Sequence, residues 1–374
     1  MSKQTKQTSG TGSAFVGSYV KDYAKALIAS AASGVHLIAI GAPGEGKTAI
    51  ARATASALSG DRFAFTRFDP SSPKDKIEGT VDFEAYLRES KLSYKVQNTP
   101  YDPNAKIWIA DELFRANDIT FDKALDPFDR YDVDPDSCPV IWSTANFIAK
   151  GNRVEALIDR IGLWVYLNPD PADVRAIAIA QMTSANNSLR LPIDVPDWKD
   201  IQAARAAKPD VKTAEAVADF LEELATIATR EGRKINRRRV DQWRKIAYRV
   251  TALYKGSATF SDVADEAKKI LAFAYPTADA ADAADWKRIA GEVIDTLGTA
   301  IEGVLVNARA DFNEIAKIKD PATRAAKLPE LGKKLADYSS NLQAFGKADD
   351  RVADAIQDLS KWYASAATGK AIAE

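Results

Sequence analysis

The sequence predicts an α/β protein, with a parallel sheet between layers of helices and a larger helical region after it. Short apolar runs alternate with stretches of helical or loop-rich sequence in the first half, and helical periodicity dominates after Pro171. Near-continuous apolar runs are typical of parallel strands buried on both faces. The runs are HLIAI at 36–40, FAFTRF at 63–68, IWIA at 107–110, VIWST at 140–144 and LWVYL at 163–167.

Length and composition exclude several kinds of protein. The 374 residues are enough for two or three domains, and 51 basic against 52 acidic residues give no strong positive field for nucleic acid. The single cysteine, Cys138, excludes an internal disulfide, and with His36 as the one histidine a Cys/His zinc site cannot form. Because there is no apolar leader and no run of about 18 apolar residues, we expect a cytoplasmic protein without a membrane segment.

The elements before the first strand are a tail and a helix. Residues 1–13 are polar, and we expect them to be disordered. Apolar residues then recur at helical spacing from Val20 to Leu27, and Gly34 can end that helix before the strand.

A glycine-rich loop joins the first apolar run to the next helix. Its sequence, GAPGEGKT, has the spacing of a phosphate-binding loop, with the candidate residues Gly41, Gly44, Gly46, Lys47 and Thr48. Glycines let backbone N–H groups face phosphate oxygens, Lys47 supplies a positive charge, and Thr48 supplies a ligand for Mg²⁺. A simple turn between strand and helix would explain the glycines but not the Lys-Thr pair.

An acidic pair ends the third apolar run, KIWIADE. Asp111 can hold Mg²⁺ together with Thr48, and Glu112 can orient or deprotonate an attacking water. The alternative is an ordinary helix cap after a strand. Downstream of the phosphate loop, the pair favours ATP hydrolysis.

Further polar candidates follow the fourth run and the segments after it. Asn146 lies at the carboxyl end of a predicted strand, where it could hold the attacking water or simply cap a turn. Arg160 precedes the fifth run and, taken alone, could be a surface ion-pair partner. The segment INRRRV, 235–240, puts three arginines at a helix start, where the helix dipole disfavours cations unless an anion is near. That placement favours a phosphate contact.

Composition divides the chain into regions. We expect a nucleotide-binding core at 14–170, a helical lid at 171–275 and a helical extension at 276–374, because repeated Asp and Ala with Pro276 indicate a hinge. Apolar stripes in the extension predict a helical hairpin or three helices that pack on one another.

The order of these motifs resembles the AAA+ ATPases, and specifically the MoxR-type, RavA-like branch. The resemblance covers about residues 14–275 and includes FTRFDPSSPKDKIEG, DELFRAN and ALIDR. Residues 79–105 resemble the branch's hairpin insertion into the second helix of the core. The fold it implies is a P-loop αβα core with a parallel sheet, followed by a helical lid.

The resemblance also implies roles for single residues. Lys47 and Thr48 would bind phosphate and Mg²⁺, with Asp111 as the metal ligand. Glu112 would act on the water, and Asn146 would be sensor 1.

The resemblance further implies roles for residues outside the central site. Arg160 would be an arginine finger that reaches a neighbouring subunit, and Arg238 would be sensor 2. Val16 and Gly17 fall where the family contacts adenine. The sequence departs from the pattern at Ile161, where a Phe is usual, and sensor 2 could equally be either neighbouring arginine, Arg237 or Arg239.

The resemblance implies a homo-oligomeric ring, and a hexamer is its expected size. Phosphoryl transfer gains from a cation at the developing charge, and the core motifs hold no such arginine, so a neighbour would supply it. The ring would use ATP and Mg²⁺ to remodel a protein complex, with a von Willebrand factor A domain protein or another client as partner. A nucleic-acid motor or loader, and an activase or chelatase subunit, are the alternatives.

Overall fold

The computed structural model separates the chain into two compact units, Met1–Val293 and Ile294–Glu374. The residues that the structure describes are 17–134, 138–149, 152–173, 175, 191–254, 260–293, 296–344 and 350–370. The predicted tail at 1–13 and the candidate adenine contact Val16 lie outside these residues.

A parallel sheet forms the centre of the first unit. The strands are β1 (His36–Gly41), β2 (Phe63–Arg67), β3 (Thr80–Val81), β4 (Tyr94–Lys95), β5 (Ile107–Asp111), β6 (Val140–Ala145) and β7 (Ile161–Leu167). Five of them pair in the order β2-β5-β6-β1-β7, and every pair in that sheet is parallel. This arrangement confirms the predicted α/β class.

Both faces of the sheet are buried, as the near-continuous apolar runs predict. Leu37 and Ala39 of β1 pack into one apolar cluster, whereas Ile38 and Ile40 pack into another. Alternate residues of a strand point to opposite faces, so each strand contributes to two helical layers.

Helices cover the sheet and extend beyond it. In chain order they are α1 (Ser18–Ser33), α2 (Lys47–Ser59), α3 (Asp75–Glu78), α4 (Phe83–Glu89), α5 (Asp118–Val133), α6 (Asn152–Arg160), α7 (Trp198–Ala206), α8 (Val211–Arg230), α9 (Arg237–Tyr254), α10 (Phe260–Leu271) and α11 (Ala280–Gly291). A 3₁₀ turn at Leu113–Arg115 follows β5. Helix α1 ends at Gly34, whose left-handed conformation (φ 70°) is the one that glycine adopts without strain.

A small hairpin lies within the region predicted as an insertion, residues 79–105. Strands β3 and β4 pair antiparallel, and α4 lies between them with none of its residues buried. Phe83 and Leu87 of α4 are 70% and 81% exposed.

The boundary between the units differs from the predicted start of the extension at residue 276. Trp286 and Ile289 of α11 are buried in the core of the first unit, and Val293 follows them there. The Trp286 ring stacks on Tyr275, with centroids 4.7 Å apart. Because these side chains complete the first core, the chain divides after Val293.

The second unit consists, over its described residues, of α12 (Thr296–Ala316), α13 (Pro321–Ala344) and α14 (Asp350–Thr368). Apolar side chains from all three helices share one core, which includes Phe312, Leu342 and Leu359. Beside it, the Arg309 guanidinium lies 4.9 Å above the Trp362 ring. Within the described part of the chain, no helix is both long and apolar enough to cross a membrane.

Candidate active site

The glycine-rich loop between β1 and α2 needs its glycines for conformation and for space. Gly44 and Gly46 have φ of 95° and 80°, which is the left-handed region. A Cβ on Gly41 would meet Glu45 Oε2 and would lie 2.9 Å from the Leu167 carbonyl oxygen. The loop therefore closes tightly before α2, whose first backbone N–H groups are free to bind an anion.

Lys47, the first residue of α2, is held against the loop. Its Nζ donates hydrogen bonds to the carbonyl oxygens of Gly41 and Ala42, each at 2.8 Å, and to Asn146 Oδ1 at 2.9 Å. Burial lowers the pKa of Lys47, while Glu112 among other carboxylates acts in the opposite direction. The ammonium group thus lies at the carboxyl ends of β1 and β6, as the phosphate-loop prediction requires.

Asp111 accepts hydrogen bonds from two threonines. Thr48 Oγ1 donates to Asp111 Oδ1, and Thr144 Oγ1 donates to the same oxygen at 2.6 Å. The carboxylate is 3% exposed and lies at the end of β5. The structure brings together the two residues predicted to bind the metal.

These oxygen donors fit Mg²⁺, which prefers carboxylate and hydroxyl ligands and keeps several waters or phosphate oxygens. Over the described residues, no group of three or more His, Cys, Asp or Glu side chains could hold a metal by itself. A cation bound between Thr48 and Asp111 would therefore take its remaining ligands from water and a bound phosphate.

Glu112 and Asn146 form a hydrogen bond across the ends of β5 and β6. Asn146 Nδ2 donates to Glu112 Oε1 at 2.7 Å, and the Glu112 backbone N–H donates to Thr144 Oγ1 at 3.2 Å. Glu112 adopts a left-handed conformation with φ 57°, which is uncommon for a residue with a side chain. Asn146 therefore connects the candidate base Glu112 to Lys47.

Arg67 is a charged residue at the carboxyl ends of the strands, and the sequence analysis did not select it. It ends β2 in register with Asp111, and its Nε lies 3.6 Å from Asp111 Oδ2. Its side chain is 68% exposed. The signal that could have found it is the one that identified Asn146, a polar residue at the carboxyl end of a predicted strand. Arg67 is thus a cation of the same chain beside the candidate metal ligand, which the prediction of a cation from a neighbouring subunit did not take into account.

The predicted finger residue, Arg160, lies away from this cluster. Its Nε and Nη2 donate to the two carboxylate oxygens of Asp129 at 2.6 and 3.0 Å. Arg160 ends α6 immediately before β7, and Ile161 pairs with His36 at the amino end of β1. The phosphate loop follows the opposite end of β1. The structure thus places Arg160 at the amino ends of these strands, whereas Lys47 lies at the carboxyl ends.

The three arginines of INRRRV differ in their surroundings. Arg237 and Arg238 are exposed, whereas Arg239 is 3% exposed. Arg239 donates to the backbone carbonyl oxygens of Ile161 and Ile158, at 3.1 and 3.5 Å. These bonds occupy Arg239 within the protein, and the assignment of Arg238 as sensor 2 remains a prediction.

Gly17, the described member of the predicted adenine contact, is fixed by Asp173. The Ser18 backbone N–H donates to Asp173 Oδ1 at 2.7 Å, and a Cβ on Gly17 would lie 2.8 Å from that same oxygen. Gly17 has φ 120°, a conformation that L side chains rarely adopt. Asp173 is a second residue that the sequence analysis did not select, and contact of Gly17 with adenine remains a prediction.

Comparison with known families identifies the domain that carries this site. Residues 36–160, from the start of β1 to the end of α6, match the AAA domain of the dynein-related subfamily. The chain carries an AAA domain. This match spans the phosphate loop, the acidic pair, Asn146 and Arg160, so the AAA+ assignment and the site geometry agree.

A solved structure shares the fold of this AAA+ protein. The crystal structure of a candidate ATPase from Cytophaga hutchinsonii is 13% identical, and the match covers 74% of this chain and 93% of that one with a TM-score of 0.50. At this identity the likeness concerns the fold alone. No curated protein matches the chain at a significant level.

Proposed function

We propose that this AAA+ protein is a Mg²⁺-dependent ATPase of the MoxR type, which hydrolyses ATP in a ring to remodel a partner protein. The observation that carries the proposal is the connection of Lys47, Asn146 and Glu112 beside the Thr48–Asp111 pair. A phosphate-binding charge, a metal ligand pair and a candidate base are the parts that phosphoryl transfer to water requires.

Lys47 and the start of α2 would bind the phosphates. The Lys47 ammonium now bonds to two loop carbonyl oxygens, which are neutral acceptors, and a phosphate oxygen is a charged and therefore stronger one. The backbone N–H groups at the start of α2 would bind further oxygens. Bound Mg²⁺ would neutralise charge on the phosphates.

Glu112 would orient or deprotonate the attacking water. Its carboxylate is only partly buried and is held from one side by the Asn146 amide. One carboxylate oxygen therefore remains available for a water, while Asn146 fixes the direction of the side chain. Asn146 would act as sensor 1 by contacting both the base and the phosphate side of the site.

The position of Arg160 supports action on a neighbouring subunit. The five residue steps of β1 from His36 to Gly41 span roughly 17 Å, which separates Arg160 from its own phosphate loop. A phosphate that Arg160 contacts would then belong to another copy of the chain. We propose that copies form a ring, with six as the expected number.

The proposal also includes a partner protein. The resemblance of residues 79–105 to the MoxR-type insertion, together with the exposed apolar side chains of α4, supports a protein client over nucleic acid. A von Willebrand factor A domain protein is the partner that this resemblance implies.

Substitution of Glu112 tests the chemistry. Glu112→Gln should bind Mg-ATP with unchanged affinity and lose hydrolysis by about 100-fold or more, because the amide cannot accept the proton from water. Lys47→Ala should instead lose nucleotide affinity, since its charge binds the ground state as well. Calorimetry of nucleotide binding and steady-state phosphate release measure the two effects.

The control for this experiment is Glu84→Gln, which changes an exposed glutamate on α4. It should leave both binding and turnover unchanged. Turnover by Glu112→Gln equal to that of the parent chain would remove Glu112 from the mechanism.

A further inference from the structure

The buried Arg239 of α9 binds the end of α6 rather than a charged partner. Its guanidinium donates to the carbonyl oxygens of Ile158 and Ile161 and lies 5.9 Å from the centre of the Tyr275 ring. Burial lowers the pKa of Arg239 to about 10, with Asp159 acting in the opposite direction. Arg239 therefore remains charged at neutral pH, and its forked donors are committed to main-chain oxygens.

Gln242, one turn further along α9, binds the two carbonyl groups between those of Arg239. Its Nε2 lies 3.2 Å from the Asp159 carbonyl oxygen and 3.4 Å from that of Arg160. A Cβ on Gly162 would lie 3.1 Å from Gln242 Cδ and would clash with Val35. The start of β7 is thus packed closely against this side chain.

These bonds supply donors to carbonyl groups at the C-terminal end of α6. The last four carbonyl groups of a helix have no partner within it, and α6 passes directly into β7 at Ile161 without a capping residue. Arg239 and Gln242 supply donors to the carbonyl oxygens of residues 158–160. Helix α9 therefore acts as the C-terminal cap of α6, from a distant part of the sequence.

The same turn of α6 carries the Arg160 side chain. Asp129 of α5 holds its Nε and Nη2, and the Ala156 carbonyl oxygen accepts from Nη1. Three of the five N–H groups of the guanidinium are thus used, and the side chain is 18% exposed. The remaining donors point in a direction set by Asp129 and by the last turn of α6.

We propose that Arg239 and Gln242 are positioning residues for Arg160, so that the placement of α9 sets how a subunit presents this arginine to its neighbour. The inference rests on the proposed function, in which Arg160 acts on the nucleotide of another subunit. Loss of either side chain removes donors from partly buried carbonyl groups at the end of α6 and loosens the turn that carries Arg160. A misplacement of about 1 Å can lower a rate by 10²-fold.

Mixed rings test this proposal, because they separate the two roles of one subunit. Gln242→Met removes both donors and keeps the volume of the side chain. We expect turnover to fall about 10-fold or more, with nucleotide affinity within about twofold of the parent chain. Mixing with Glu112→Gln subunits should restore activity, because those subunits present an intact Arg160 to the intact nucleotide site of the variant.

Mixing Gln242→Met with Arg160→Ala subunits should restore nothing, because neither subunit then presents a well-placed arginine. Recovery with Arg160→Ala subunits would overturn the proposal, since it would mean that Gln242 serves the nucleotide site of its own subunit. A lack of recovery with both kinds of subunit would overturn it too, because the defect would then not be confined to the presentation of Arg160. Turnover of Gln242→Met equal to that of the parent chain would overturn it as well.

Two further variants make the result decisive. Arg239→Lys should give the same pattern, because lysine keeps the charge and loses the fork, and it replaces Gln242→Met if that variant does not melt cooperatively. Arg244→Met, on the exposed face of α9, is the matched control and should keep full turnover. Failure of Arg160→Ala and Glu112→Gln subunits to restore each other would reject the trans role of Arg160 itself, which is a separate outcome.

Discussion

Asn146 contacts two residues of opposite charge, and its amide carries both the acceptor and the donor that these contacts need. Its Oδ1 accepts from the Lys47 ammonium, and its Nδ2 donates to the Glu112 carboxylate. A carboxylate at this position would repel Glu112, and an apolar residue would bind neither. The orientation of the candidate base therefore depends on a side chain that also contacts Lys47, the candidate phosphate-binding residue.

Arg67 should weaken metal binding, because its guanidinium shares the Asp111 carboxylate with the cation. Arg67→Gln should let Mg²⁺ support nucleotide binding at lower concentration. The change should stay within about fivefold, since an exposed ion pair contributes at most about 1 kcal/mol. Mg²⁺ titration at a fixed concentration of a fluorescent ATP analogue measures it, with the exposed Arg88→Gln as control. A weaker response to Mg²⁺ would indicate that Arg67 contacts phosphate instead.

His36 should make the protein sensitive to acid. Burial, with Lys245 and Arg205, lowers the pKa of His36 to about 3 in the folded chain, against about 6.5 when unfolded. The unfolded chain therefore binds the proton first, and stability falls by about 1.4 kcal/mol per pH unit as the pH drops from 6.5 toward 3. Above pH 6.5 this contribution is constant.

His36→Asn isolates that effect, because its Oδ1 can accept the Ile141 N–H that now bonds to His36 Nδ1. Urea unfolding at pH 7.5, 5.5 and 4.5 should show a shallower loss of stability for the variant than for the parent chain. Parallel losses in the two proteins would show that His36 does not titrate on unfolding.

At the scale of elements, α11 shows that a segment rich in Asp and Ala can form a helix as well as a hinge. Its Asp/Ala repeat predicts a hinge, but Asp279 caps the helix by accepting the Asp282 backbone N–H at 2.9 Å. Asp282 and Asp285 then pair with Arg233, at 2.6 and 2.8 Å. The aspartates thus start the helix and attach it to the segment before α9.

Removal of α11 should therefore damage the first unit. A chain that ends at Tyr275 loses Trp286 and Ile289, and it should be less stable by at least about 3–5 kcal/mol, the usual cost of truncating a buried Trp. A chain that ends at Val293 should unfold cooperatively and still bind ATP. Urea unfolding compares the two, and equal midpoints would show that α11 contributes nothing to that core.

The strands and the central site were predictable because both depend on local patterns. The apolar runs identified the five strands of the sheet, and the loop spacing selected Lys47 and Thr48, which the structure places in contact with Asn146 and Asp111. Arg239 was not predictable in the same way, because its partners are carbonyl groups about 80 positions earlier in the chain. No periodicity or motif in the sequence records a helix cap that comes from another element.

At the scale of the whole molecule, the chain combines an AAA+ unit with a helical unit that has its own core. The candidate nucleotide-binding residues all belong to the first unit. Ring formation remains a proposal, which the mixed-ring experiments address.

The division into two units also determines what intrinsic fluorescence can report. Of the seven tryptophans, six lie before residue 294, and Trp362 alone lies in the second unit. Its ring, beneath the Arg309 guanidinium, is therefore the one indole emitter that responds to unfolding of the helical unit. The difference in emission between the parent chain and Trp362→Phe follows that unit by itself, so its melting can be recorded in the 374-residue chain without an added dye.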